Sequence, residues 1–109
     1  MAFSAGCENP CGNDTVRRAA SPDESYSVIT YNRDCGTGSA VVTHLQLQKS
    51  GHEEGLDPER SFGSIDGADS LVVAWLSTKT VMVTYQAKRT ASVGDTTIGP
   101  IDIKFRRRE

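Results

Sequence analysis

Cys35 is the residue of this 109-residue chain whose neighbours most directly suggest chemistry. It stands in the stretch YNRDCGTGSA, between two charged residues and two glycines, at the end of a strand-like run. Four roles are open to such a cysteine: nucleophile, metal ligand, half of a disulfide, or turn residue. A catalytic thiolate needs a base and a positive setting. His44 is the base that the sequence offers, and Arg33 supplies a positive charge that adjacent Asp34 opposes.

Metal and phosphate sites have weaker support in the sequence. A zinc ion would need Cys7, Cys11 and Cys35 with one histidine, but Cys7-x3-Cys11 is not the tight Cys-x2-Cys knuckle. The acidic residues of the central stretch lack the regular spacing of a calcium loop. Gly36-Thr37-Gly38 is followed by neither a helix nor a P-loop lysine. We therefore predict no metal ion and no cofactor.

The composition is that of one ordinary globular domain, with 37% hydrophobic and 24% charged residues. A formal net charge of −2 and a single Trp argue against a nucleic-acid partner, which usually selects a basic excess and stacking aromatics. The start MAFSAGC contains neither a charged region nor an apolar core, so it is no complete signal peptide. Its end is similar to a lipoprotein processing site, with Ser4 in the aliphatic slot. Cys7 is thus a candidate lipid acceptor, and a natural cytosolic start is the alternative.

The spacing of apolar and turn-forming residues predicts an all-β domain over residues 14–109, preceded by an irregular segment, 1–13. No amphipathic helix is predicted. Together the strands predict a six-stranded antiparallel meander, either sandwich-like or one strongly twisted sheet. The expected strands cover residues 15–20, 25–33, 39–48, 70–77, 80–87 and 101–107.

Residues 49–69 interrupt this periodicity with four glycines and a proline. A loop of this length without structure is usually either mobile or functional. Within it we expect one helical turn, with Asp57 as N-cap and Pro58 at the first helical position. A second polar loop is expected over residues 88–97.

The segment from Cys11 to Leu47 resembles a family of small bacterial envelope proteins of unassigned activity. Members read CxN, then SPDG with an alternating strand, then RDCGATTG and a threonine-containing strand. Here the matching residues are CGN, SPDE and RDCGTGS, followed later by a pair of strands that contains Trp75 and Tyr85. Glu24 stands where the family has the turn glycine, and the segment after Gly36 is shortened.

Members of this family commonly begin with a lipoprotein signal, so the resemblance implies a lipid at Cys7 and location in the cell envelope or periplasm. Cys11 and Cys35 are then left as a disulfide pair in an oxidising compartment. Closing a loop of that size contributes roughly 3 kcal/mol in the chain-entropy model.

The resulting hypothesis is a non-catalytic interaction module that binds an unidentified partner protein and neutralises or inhibits it. The interaction surface would combine the turn after the second strand with the central loop. Exposed edge strands would also permit a homodimer. Two alternatives stay open: a small thiol-dependent hydrolase using Cys35 and His44, and a cytosolic accessory protein with reduced thiols. The predicted interaction residues are Asp34, Thr37, Ser39, His52, Glu53 and Glu54.

Overall fold

Two open β-sheets make up the protein. The computed structural model describes residues 12–34, 41–52, 55–66, 68–87 and 91–108. Within these ranges lie nine strands: β1 (Gly12–Ala20), β2 (Tyr26–Asp34), β3 (Val42–Lys49), β4 (Ser61–Asp66), β5 (Ala68–Trp75), β6 (Thr80–Ala87), β7 (Ala91–Ser92), β8 (Thr96–Ile98) and β9 (Ile101–Arg107). The first sheet has the order β1-β2-β3-β4-β7, and the second has the order β5-β6-β9-β8. The all-β prediction is confirmed.

Neighbouring strands are antiparallel with one exception, the parallel pair β6–β9, in which Thr80 lies opposite Asp102 and Tyr85 opposite Arg107. The prediction of a purely antiparallel meander was wrong at this pair. After β6 the chain adds β7 to the first sheet, returns as β8, and then places β9 beside β6. A parallel neighbour needs such a long crossover, and local alternation in the sequence carries no sign of it.

The core lies between the two sheets and follows from the period-two alternation of their strands. In β9, Ile101 and Ile103 are buried while Asp102 and Lys104 are exposed. Each fully buried Val, Leu or Ile contributes about 1.5–3 kcal/mol relative to an exposed one. The first sheet supplies Val28 and Leu45 to the core, and the second supplies Val81, Val83, Ile101 and Ile103.

The central stretch is more ordered than expected, because β4 lies inside it. Gly63 pairs with Leu45 and Ile65 with Thr43, so β4 extends the first sheet beyond β3. In the sequence, Gly63 is one of the glycines that predict an interruption of the strand pattern. In the structure, Gly63 lets β4 approach the Phe105 ring closely, since a Cβ at this position would stand 3.0 Å from Cζ of Phe105. The expectation of a long structureless loop over residues 49–69 was therefore wrong.

The boundaries differ in three further places. β1 begins at Gly12, inside the segment that we expected to be irregular, and β3 begins at Val42 rather than at Ser39. The short strands β7 and β8 lie within the expected polar loop 88–97 or at its end. Both are two or three residues long, too short for alternation to reveal them.

The predicted helical turn is confirmed, and a second turn joins β1 to β2. Pro58–Arg60 form a single 3-10 turn, and the Asp57 carboxylate caps it by accepting from the Glu59 backbone N–H at 2.9 Å. In the turn between β1 and β2, the Asp23 carboxylate accepts from the Ser25 N–H at 3.1 Å and from the Ser21 hydroxyl at 2.8 Å. Both bonds lower the pKa of Asp23, and the bond from Ser21 has the larger effect.

Candidate functional site

The predicted interaction residues fall largely outside the described residues. Asp34 ends β2 as an exposed residue opposite Gly12. His52 is exposed just after β3, where its backbone N–H donates to the Lys49 carbonyl at 3.0 Å. The roles predicted for these two residues stay predictions. Outside the described residues lie Thr37, Ser39, Glu53, Glu54, Cys7, Cys11 and Cys35.

His44 lies on the face of the first sheet that points away from the core, directly opposite Tyr31 in the β2–β3 pair. The two rings stack with centroids 5.3 Å apart and an interplanar angle of 19°. The His44 Nδ1 atom lies 3.2 Å from the Ser61 Oγ atom. This face therefore joins an imidazole to a serine hydroxyl, a pairing that the sequence analysis did not anticipate.

Burial and charge set the protonation of both rings. Desolvation, and secondarily the Arg33 guanidinium, lower the pKa of His44, so the imidazole is neutral at pH 7. Desolvation raises the pKa of Tyr31, whose side chain is fully buried. Among the described residues, no group makes a hydrogen bond to the Tyr31 hydroxyl.

The hydrogen bonds of Ser61 decide against a serine nucleophile. Its Oγ atom lies 2.6 Å from the Gly63 carbonyl oxygen, a distance at which the hydroxyl proton must lie between the two oxygens. The same Oγ atom accepts from the Gly63 N–H at 3.3 Å. With its only proton donated to Gly63, Ser61 is left to accept from His44 Nδ1–H, so His44 is not placed to take that proton. The pair holds β4 to β3 and does not form a catalytic dyad.

Gln46 closes the same outer face farther along β3. Its side-chain amide donates to the Gly55 carbonyl at 3.2 Å and accepts from the Asp57 N–H at 3.0 Å. These bonds explain how a glutamine that is only 1% exposed is accommodated. Since the segment around Asp57 thus covers this part of the sheet, this part of the face is a packed structural surface.

β5, one of the two edge strands of the second sheet, is not covered in this way. β5 pairs with β6 on one side, and no other described strand pairs with it. The last five residues of β5 and the residue after it, Leu71 to Leu76, read LVVAWL, without a charge or a proline. Val72 is 45% exposed and Leu76 is 61% exposed. Natural proteins usually protect such an edge with charge, proline or a bulge, and from Leu71 to its end at Trp75, β5 has none of the three.

β1, one of the two edge strands of the first sheet, is protected by charges and a bulge. It contains Asp14, Arg17 and Arg18, and its register with β2 shifts between Thr15 and Arg17. Charges and a bulge both discourage pairing with a further strand. β5 has a charge, Asp69, and a register shift between Ala68 and Ser70, but both lie at its start. The stretch from Leu71 to Trp75 is therefore the part of this edge that another strand can join.

The hydrogen-bond pattern of the β5–β6 hairpin shows which backbone groups are turned outward. The Leu76 N–H donates to the Thr80 carbonyl at 2.8 Å, so Leu76 faces β6. In an antiparallel pair, successive residues alternate between facing the partner strand and facing away. The N–H and C=O groups of Leu71, Val73 and Trp75 therefore point to the open edge, while those of Val72 and Ala74 bond to β6.

No helix in the described residues is long and apolar enough to span a membrane. Within the same residues, no three His, Cys, Asp or Glu side chains are grouped so that they could hold a metal ion. Searches against protein-family models, curated proteins and solved structures found no match to this chain. The resemblance to small envelope proteins therefore stays a prediction.

Proposed function

We propose that this protein is a non-catalytic interaction module that binds an extended segment of a partner protein along the β5 edge. One observation carries the proposal: at Leu71, Val73 and Trp75, β5 turns outward backbone groups that no described strand pairs with, and the stretch from Leu71 to Trp75 carries no charge. In this mode of recognition, main-chain hydrogen bonds supply affinity and the flanking side chains supply specificity.

The chemistry of the partner segment follows from the side chains beside this edge. Val72 and Ala74 lie on the solvent face of the second sheet, opposite Thr84 and Met82 of β6. Cross-strand neighbours on one face interact directly. A partner strand therefore gains most if its residues on this face are β-branched or aromatic, and it needs no charge opposite β5.

Location in the bacterial cell envelope is part of the same proposal. Its support is the SAGC start, which offers Cys7 as a lipid acceptor, and the resemblance over Cys11 to Leu47. A disulfide between Cys11 and Cys35 would then tie the start of the chain to the end of β2. Intact mass after alkylation, with and without reductant, tests this part. If Cys11 and Cys35 are alkylated without reductant in protein isolated from the envelope, the disulfide is excluded.

The binding proposal is tested with a photo-cross-linking amino acid at Val72, and with the same substitution at Arg18 of β1 as the matched control. We expect position 72 to cross-link to one discrete protein in cells, and position 18 to give no such product. V72K, which places a lysine on the edge, should reduce cross-linking from a second probe at Ala74.

The mass of the cross-linked product separates two kinds of partner. A product of twice the chain mass would identify the β5 edge as a homodimer interface, contradicting a distinct partner. If position 72 gives no more product than position 18, the proposed use of the edge is wrong.

A further inference from the structure

We propose that the cleft between the two sheets, beside β1 and β5, binds a small aliphatic carboxylate. This site borders the open β5 edge and shares Leu71 and Val73 with it, but it does not depend on the proposed function. The cleft has a volume of about 220 Å³ and is lined by Val16, Arg17, Thr30, Asn32, Thr43, Leu71 and Val73.

The inner face of the first sheet changes from apolar to polar along its strands. In β2 the inward positions run Val28, Thr30, Asn32, and the residues opposite them in β3 run Leu47, Leu45, Thr43. Val28 and Leu45 belong to the core cluster, while Thr30, Asn32 and Thr43 line the cleft. Polar side chains at inward positions of a sheet are costly unless they find partners, so this change calls for an explanation.

Thr30 provides the most specific sign of a ligand. The residue is 3% exposed, and among the described residues nothing makes a hydrogen bond to its hydroxyl. A buried hydroxyl without a partner costs about 1–3 kcal/mol. Next to it, the Thr43 hydroxyl donates to the Asn32 Oδ1 atom at 2.8 Å, and an asparagine whose oxygen accepts still has two N–H donors. One wall of the cleft is thus rich in donors.

The rest of the lining sets the class of ligand. Arg17 is the one charged residue among the described residues that line the cleft, and it is exposed at the rim. Val16, Leu71 and Val73 supply apolar surface. A positive charge with hydroxyl and amide donors fits a carboxylate, and the apolar residues fit an aliphatic chain. An ammonium group would have no acidic partner among these residues.

Size and shape limit the ligand further. Sites for drug-sized molecules usually occupy roughly 300–1,000 Å³, and this cleft is smaller. Near the other end of β1, the Trp75 indole N–H donates to the Ala19 carbonyl at 2.9 Å. This bond links β5 to β1 across the two sheets. The ligand is therefore a short-chain acid rather than a fatty acid.

Hexanoate is the probe for this proposal, and hexylammonium is the matched control of opposite charge. In a titration of the ¹⁵N-labelled protein, we expect saturable shift changes in the amides of β1, β2, β3 and β5 that line the cleft. R17Q, a change at an exposed position, should weaken hexanoate binding by about tenfold, because it removes the one charge that contacts the carboxylate. T84V, on the outer face of the second sheet, should leave the affinity unchanged.

A second variant separates a ligand site from a purely structural hydroxyl. T30V removes the unpartnered group without a change of shape, so it should weaken hexanoate binding and yet raise Tm by about 4 °C. A lower Tm in T30V would show that the hydroxyl is bonded in the free protein and would overturn the proposal. Absence of saturable shifts with hexanoate, or equal binding of hexylammonium, would overturn it as well.

Discussion

At the scale of single residues, Glu24 holds a backbone conformation that favours glycine. Its φ of 61° lies in the left-handed region, where an L-residue pays roughly 1–2 kcal/mol. The turn imposes this geometry, because the Glu24 N–H donates to the Ser21 carbonyl at 2.8 Å and its carbonyl accepts from the Ser50 hydroxyl. The same position is where the sequence departs from the glycine of the resembling family.

E24G should therefore stabilise the protein, by up to about 1 kcal/mol once the greater chain entropy of glycine is subtracted. The measurement is the free energy of unfolding from urea titration. E24A is the matched control, since it removes the carboxylate and keeps the Cβ, and it should show no comparable gain. Equal stability of E24G and E24A would contradict a backbone origin for the effect.

His44 makes stability depend on pH. Its folded-state pKa is lowered from 6.5 by burial and by Arg33, so the unfolded chain binds a proton at a higher pH than the folded one. Stability should thus fall as pH drops below about 6.5, until the folded-state pKa is passed. One such group contributes at most about 1.4 kcal/mol per pH unit, and partial solvent screening at this half-buried ring reduces that value.

The check is the free energy of unfolding of H44Q and of the wild type between pH 7.5 and pH 5.5. H44Q should show a shallower decline on acidification, and H52Q, which changes an exposed histidine, is the matched control. Parallel curves for H44Q and the wild type would rule out His44 as the source.

At the scale of elements, the contact between β4 and Phe105 depends on Gly63. A Cβ at this position would stand 3.0 Å from Phe105 Cζ and 3.3 Å from Val93 Cγ1. The Phe105 ring has little room to move, because Phe62 and Tyr85 pack against it with centroids 6.1 and 6.3 Å away. β4 can approach β9 this closely only without a side chain at residue 63.

G63A should accordingly lower the free energy of unfolding by about 1–3 kcal/mol, the usual cost of overpacking. G55A is the control, since a Cβ at Gly55 meets no atom within 4 Å, and its effect should stay within about 0.5 kcal/mol. Thermal or urea unfolding measures both, and a neutral G63A would show that β4 does not need this close approach.

These elements also show what the sequence could and could not predict. β6 and β9 were predicted to the residue: β9 because Ile101 and Ile103 alternate with charged residues, and β6 because it is rich in β-branched and aromatic residues and follows a hairpin-length turn. β4 was missed because Gly63 serves a contact with Phe105, forty-two positions later in the chain, and such a contact leaves no local pattern. The run Leu71–Leu76 was recognised as a strand. Its place at an edge depends on β9 occupying the far side of β6, which is a property of topology.

At the scale of the whole molecule, the two sheets pack around a common core and leave two surfaces accessible: the β5 edge and the cleft beside β1 and β5. The Trp75–Ala19 bond joins β5 to β1, and the inward-facing Thr30 lines the cleft nearby. The backbone groups of alternate β5 residues, Leu71, Val73 and Trp75, face away from β6. The fold thus supplies a rigid frame in which one strand, β5, borders both proposed binding surfaces. The sequence shows Thr30 and Asn32 as polar residues of a strand, but only the structure places them on the inward face, opposite Leu71 and Val73.

Hydrogen exchange of the β5 backbone amides, resolved by NMR in the isolated protein, tests the central claim most directly. If β5 is an open edge, the amides of Leu71, Val73 and Trp75 exchange rapidly, while those of Val72 and Ala74 are protected by bonds to β6. Addition of the partner identified by cross-linking should then protect the first set. Uniform protection along Leu71–Trp75 in the isolated monomer would show that the edge is already paired, and would contradict the proposed mode of binding.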